Sequence, residues 1–288
     1  MRLKNLLYWL VLSLSISSCS ERIDIELGST YSRLAVYGEL TTDTLSHIVR
    51  LQKSGDYYLN EEADAVSEAI VEISYDDTSI MYTENPVGSG IYLSPSDFYG
   101  IPGKTYFLTI SNVDVNGDGE KEVYNASSFI HALNPIDSID LKYTKMHFFA
   151  GWEIMVYVWD RPDVRNFYSY KATLNGRLLT DTLTEYSIQS DDFFDGSYTN
   201  GITAEILDDS NGTEKAYPGD TIGFEINGIT EEFYNFIYEA QSEAFRSIPL
   251  FSGPPANITS NISNGALGFF TAYSIERAWK IVPEYPEE

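Results

Sequence analysis

Cysteine is almost missing from this chain. Cys19 is the only one in 288 residues, so no internal disulfide can form and stability has to come from burial. Histidine is scarce too, with only His47, His131 and His147. No His-Glu-x-x-His pair, Gly-x-Ser-x-Gly elbow or Cys-x-x-Cys occurs. A metal centre or a catalytic triad would have to converge from distant positions, and structural or surface histidines are expected instead. Basic residues are few: 18 Lys and Arg stand against 43 Asp and Glu, a net charge of −25. Such a surface repels nucleic acid and anionic headgroups, so neither is an expected partner, and solubility is reason enough for the acidity. Nor does any apolar run reach the roughly 20 residues that a membrane-crossing helix needs.

The N-terminus is patterned for export. Arg2 and Lys4 precede an apolar run of eleven residues from Leu6 to Ile16, the length of a signal-peptide core. Ile16-Ser17-Ser18-Cys19 follows, and this resembles the lipobox of bacterial lipoproteins. Small residues at 17 and 18 admit a peptidase, and the Cys19 thiolate accepts diacylglycerol. The resemblance implies a lipoprotein signal peptide over residues 1–18, lipidation of Cys19, and a lipidated tether over 19–31. Each buried acyl methylene contributes about 0.8 kcal/mol, so the two or three chains of a mature lipoprotein hold it firmly in a bilayer. Cleavage leaves 270 residues and, with Arg2 and Lys4 gone, a net charge of −27.

At roughly 150 residues per domain, that length predicts two domains. Period-two alternation predicts strands over Arg33–Leu40, His47–Lys53, Ala69–Tyr75, Gly90–Ser94, Lys104–Val113 and Glu122–Ile130. Asn134-Pro135 is the best boundary, since proline ends a regular element. Beyond it, strands are predicted over Asp137–Tyr143, Trp152–Trp159, Asn166–Leu174, Thr184–Gln189, Gly201–Leu207 and Thr221–Asn227. One helix is expected near 230–246, capped by Thr230, with Glu231 and Glu232 at its positive end and Pro249 beyond its close. Phe233, Phe236, Ile237, Ala240, Ala244 and Phe245 fall on one face, which suits packing on a sheet. The fold class is therefore mainly β: sandwich-like domains over 32–134 and 135–288, with the amphipathic helix in the second. In the first, Ala69–Ile73, Gly90-Ile91-Tyr92 and Gly103–Tyr106 together resemble the carboxypeptidase-regulatory, transthyretin-like domains of immunoglobulin-like architecture.

Three patterns bear on chemistry. Asp114, Asn116, Asp118 and Glu120 offer oxygen at alternate positions, as an EF-hand calcium loop begins. The twelfth position is Asn125 rather than Glu, and predicted strands flank the segment, so an acidic hairpin tip is the simpler account and calcium a weak candidate. Acidic pairs occur at Asp191-Asp192, with Asp195 close by, and at Asp208-Asp209. A glycosidase needs two carboxyls at a set separation across a cleft, which neighbours on a loop do not provide, so no catalytic residue is assigned. Aromatics are abundant, with 22 Tyr, 15 Phe and 4 Trp. Tyr57, Tyr58, Phe98, Tyr99, Phe193, Phe194 and Tyr198 fall in predicted loops rather than strands, where rings can stack on a ligand or partner.

The C-terminal stretch carries the broadest resemblance. Pro254-Pro255-Ala256-Asn257-Ile258 leads into Ser260-Asn261-Ile262-Ser263-Asn264-Gly265-Ala266-Leu267-Gly268-Phe269-Phe270, in which Gly265 and Gly268 permit tight backbone passage before a strand. With Leu34–Glu39, Gly100–Gly103 and Pro135–Ile139, this is similar to a family of Bacteroidota outer-membrane lipoproteins, the domain of unknown function 4249 family. That resemblance implies an address at the cell outer membrane, anchored in its lipid bilayer, and the company of a TonB-dependent transporter. Glu21 followed by Arg22 does not decide between the periplasmic and the external face. The functional expectation is a non-enzymatic accessory or ligand-capture protein without a cofactor. A carbohydrate- or peptide-acting hydrolase using a carboxylate pair, and a purely structural envelope component, are the alternatives.

Overall fold

In strand after strand, every second residue is apolar and buried, and this alternation decides where the sheets face. The computed structural model describes residues 32–54, 63–147, 149–162, 164–180, 182–246 and 258–286. Residues 1–31, with the expected signal peptide, Cys19 and the expected tether, lie outside them. The first half of the chain supplies β1 (Leu34–Thr41), β2 (Ile48–Lys53), β3 (Ile70–Tyr75), β4 (Thr78–Glu84), β5 (Ile91–Leu93), β6 (Thr105–Val113) and β7 (Glu122–Phe129). The second supplies β8 (Ser138–Met146), β9 (Phe149–Tyr157), β10 (Phe167–Leu174), β11 (Arg177–Leu178), β12 (Ser187–Ser190), β13 (Ile202–Asp208), β14 (Thr221–Ile229), the helix α1 (Glu231–Arg246) and β15 (Leu267–Ile281). The chain is mainly β with one helix among the described residues, as its periodicity predicts.

Hydrogen bonds run unbroken through the order β11-β10-β14-β15-β1-β2-β5-β4-β3-β6-β7, with β12 added on β10, while β13-β9-β8 form a separate sheet. Every named pairing is antiparallel except β1 with β15, which lie parallel with Tyr37 opposite Phe269. A parallel neighbour cannot come from a hairpin, so β1 waits for the far end of the chain. Gly268 makes that approach possible. Its φ is +90°, and a Cβ there would stand 1.9 Å from the Val36 carbonyl oxygen.

Three cores result. The first gathers Leu34, Val49, Leu51, Ile73, Tyr106, Leu108 and Ile110. In the second, Trp152, Ile154 and Val156 of the small sheet meet Tyr170, Ala172 and Phe224 of the large one. In the third, Phe233 and Ile237 of α1 pack on the opposite face of the large sheet, against Phe167, Phe269 and Tyr273. The helix begins as expected, with the Thr230 hydroxyl accepting the Phe233 N–H at 3.2 Å.

β15 corrects the expected domain boundary. Its Phe270 and Ala272, with the preceding Ile262 and Ala266, complete the first core. Its Phe269 and Tyr273 belong to the third core, and Ala278 packs on the second. The far edge of the first half also closes on this segment: the Ala272 N–H donates to the Ser128 hydroxyl at 2.9 Å, and Asn125 and Ser263 exchange bonds of 2.8 Å. Asn134-Pro135 therefore separates two core regions, but residues 32–288 form one compact unit rather than the independent domains 32–134 and 135–288.

Candidate functional site

Where β10, β14, β15 and β1 lie side by side, ladder register aligns Lys171 with Glu225 and Glu225 with Arg277. Paired directly across the ladder, these side chains reach the same face. With Tyr37 and Glu39 of β1 and the β1–β2 loop, they line a groove of about 310 Å³. That is the lower end of the range for small-molecule sites.

Charges of both signs converge here. The Arg277 guanidinium forks onto Asp43 at 2.9 and 2.7 Å, and its Nε donates to Glu225 at 2.7 Å. Lys171 is only 13% exposed, yet its Nζ stays 3.9 Å from Glu39 and 3.8 Å from Glu225. It donates to the Tyr273 hydroxyl at 3.1 Å, between the Tyr186 and Tyr273 rings. Tyr37 and Tyr273 each donate a short hydrogen bond to Glu39. Three carboxylates thus face two cations.

The Arg277 hydrogen bonds hold the Asp43 carboxyl below the usual carboxylate range, and the Arg277 guanidinium is correspondingly raised. Burial and the Glu39 carboxylate keep the Tyr37 and Tyr273 phenols protonated; Tyr37 leaves 42% of its surface open, but its hydroxyl end is enclosed. Burial lowers the His47 imidazole, which sits under the groove with Nδ1 accepting the Thr41 N–H at 3.4 Å.

Around this polar base the rim is apolar and open. Leu45, Ile48 and Leu178 are exposed by 42%, 37% and 40%, and Tyr37 adds its ring. Donors, acceptors and apolar walls in one groove suit a ligand bearing hydroxyls, or charges of both signs, on a carbon frame. None of these residues is among the sequence-level candidates. The legible signal was Lys171 and Glu225 in predicted strands, in a chain with only 18 Lys and Arg.

The sequence-level candidates fare unequally. Cys19, Tyr57 and Tyr58 lie outside the described residues. Phe98 is a correction: it sits in a loop but is only 8% exposed. A turn that ties the Phe98 N–H to the Pro95 carbonyl folds its ring against His47, Tyr75 and Tyr106. Tyr99 beside it remains 49% exposed. Phe193 is 96% exposed, whereas Phe194 stacks on Tyr168 at 6.3 Å and closes the second core. Tyr198 is half-buried against the exposed Trp159, 5.1 Å away. The cavity beside Phe194 and Trp159 has a volume near 20 Å³, room for one water rather than a ligand.

Asp114, Asn116, Asp118 and Glu120 sit at the β6–β7 turn. Both Asp114 oxygens accept backbone N–H groups, from Gly117 and Gly119, and Asn116 and Asp118 each accept another. That is the bonding of a self-capped hairpin tip. Asp191 and Asp192 diverge: Asp192 pairs with Arg165 at 3.0 and 3.1 Å, while Asp191 turns inward. Asp209 is bound by the Tyr143 hydroxyl at 2.8 Å, which with burial pushes that phenol up to about 12. Neither sequence pair spans an open cleft.

Among the described residues, no helix is long and apolar enough to cross a membrane. No curated protein matches the chain. Residues 20–278 match the family described as a domain of unknown function (DUF4249), and the chain belongs to that family.

Proposed function

We propose that this protein is a lipid-anchored accessory of the outer membrane that captures a small polar ligand in the β10–β14–β15–β1 groove and works beside a TonB-dependent transporter. The observation that carries the reading is the groove itself, in which exposed Tyr37, Leu45, Ile48 and Leu178 surround the charged Lys171–Glu225–Arg277 row. Isolated exposed apolar residues are ordinary; four around one polar base are the composition of a recognition site. The anchor at Cys19 supports the rest, because a protein held in a bilayer meets a transporter of the same membrane at high effective concentration.

Capture is tested by isothermal titration of the purified full chain with oligosaccharides and short peptides, alongside the Lys171→Met variant. Saturable heat with one class, weakened at least tenfold by Lys171→Met, is the expected result. Equal binding by the variant would move the site elsewhere. The partner is tested by mild-detergent pull-down from native membranes with mass spectrometry, and repeated recovery of the lipoprotein alone would sink the transporter half.

A further inference from the structure

Away from the groove, beside the second core, three carboxylates crowd together. Asp160 follows β9, Asp191 follows β12, and Asp195 lies four residues further on. One oxygen from each lies within 4.8 Å of the others. Asp160 is 5% exposed and Asp191 1%, while Asp195 opens to solvent. The nearby Arg165 is spent on Asp192 and Glu231, and no salt bridge reaches any of the three among the described residues.

Backbone and side-chain donors satisfy part of this charge. Asp160 accepts the Tyr168 hydroxyl on one oxygen and the Gly196 N–H at 2.9 Å on the other. Asp191 Oδ2 accepts the Asn166 backbone N–H at 2.8 Å and its side-chain amide at 3.1 Å. Asp191 Oδ1 is buried and accepts nothing. A buried carboxylate oxygen without a partner, beside two more carboxylates, is costly unless something positive enters. Burial first, and then the charges of Asp191 and Asp195, lift the Asp160 carboxyl above its ordinary range.

We infer that Asp160, Asp191 and Asp195 together bind one hard divalent cation of the calcium type, with the free Asp191 oxygen as its buried ligand. The donor set is oxygen alone, without imidazole or thiolate, which favours calcium or magnesium over zinc or copper. Two oxygens held at about 2.4 Å by one ion stand at most about 4.8 Å apart, the spacing these three respect. Calcium tolerates an irregular shell and takes water on the open Asp195 side, whereas magnesium demands a regular octahedron. The ion ties the loop after β9 to the loop after β12, and so sets the segment that carries Phe193 and Phe194. This assignment does not depend on the capture reading.

The test uses the detergent-purified full chain, stripped with a chelator and titrated with calcium chloride or magnesium chloride. Calcium should raise the melting temperature with half-saturation at about 10⁻⁴ to 10⁻³ M. Asp195→Asn should weaken the response at least tenfold. Its calcium-free melting temperature should equal or exceed that of the wild type, since a like charge is removed. Asp118→Asn, at the hairpin tip, should leave the response intact. Asp191→Asn should abolish it, and if that buried variant does not fold, Asp195→Asn decides alone. No shift and no heat with either metal at several millimolar would overturn the assignment. So would a full response in Asp195→Asn, or one that disappears with Asp118→Asn.

Discussion

Single residues carry the sharpest expectations. Gly268 has a positive φ and the Val36 carbonyl where a Cβ would go, whereas Gly265 has a positive φ and open space. Gly265→Ala should therefore cost about 1 kcal/mol from backbone strain alone. Gly268→Ala should prevent the β1–β15 pairing and leave little soluble protein, so melting curves of the two variants separate strain from collision. Asp43 is held by Arg277 with its carboxyl below the usual value of about 3.9. A depressed folded value gives stability that is present above about pH 4 and is lost as pH falls through the folded value. Both partners are about one-third exposed, so screening limits the pair to about 1 kcal/mol or less. Asp43→Asn should lower the melting temperature at pH 7 by a few degrees, and its difference from wild type should shrink below about pH 4. Cys19→Ala should release the protein from the outer-membrane fraction or stall its precursor; a variant that still fractionates as a lipid-modified protein would end the anchor reading.

At the scale of elements, α1 is a core helix and not a free docking surface. Phe233 is 5% exposed and meets Phe236 and Phe269 at ring distances of 6.1 and 5.2 Å. Phe233→Ala should cost about 3–5 kcal/mol, a fall of about 10 °C in melting temperature. Thr230→Ala, which removes only the cap, should cost about 1 kcal/mol. β4 escaped the sequence reading because only Tyr82 of its seven residues is buried, so its alternation is faint. β12 starts at Ser187 rather than Thr184 because a 3-10 turn occupies Leu183–Glu185.

The whole molecule is held by its last strand. Because β15 supplies side chains to all three cores, residues 31–133 expressed alone should lack a finished first core and show no cooperative melt. The full chain should melt in one transition. A cooperative β-type fragment 31–133 would show that Ile262, Ala266, Phe270 and Ala272 are dispensable.

What the sequence determined by itself is local and periodic. Alternation placed most strands within a few residues, and the Thr230 cap with its apolar face located the helix, because hydrogen-bonding geometry and side-chain period act over a few neighbours. The Ser260–Phe270 stretch is likewise contiguous, and it lies within the residues 20–278 that match the family. Only the tertiary structure decided that β15 crosses to β1, since a parallel pairing between residues more than 200 positions apart leaves no periodic trace. Phe98 shows the same limit: a loop aromatic is exposed or buried according to what folds over it. The groove and the Asp160–Asp191–Asp195 cluster are assembled from separate strands and loops, so their chemistry exists only once cross-strand register and loop packing have brought the side chains together.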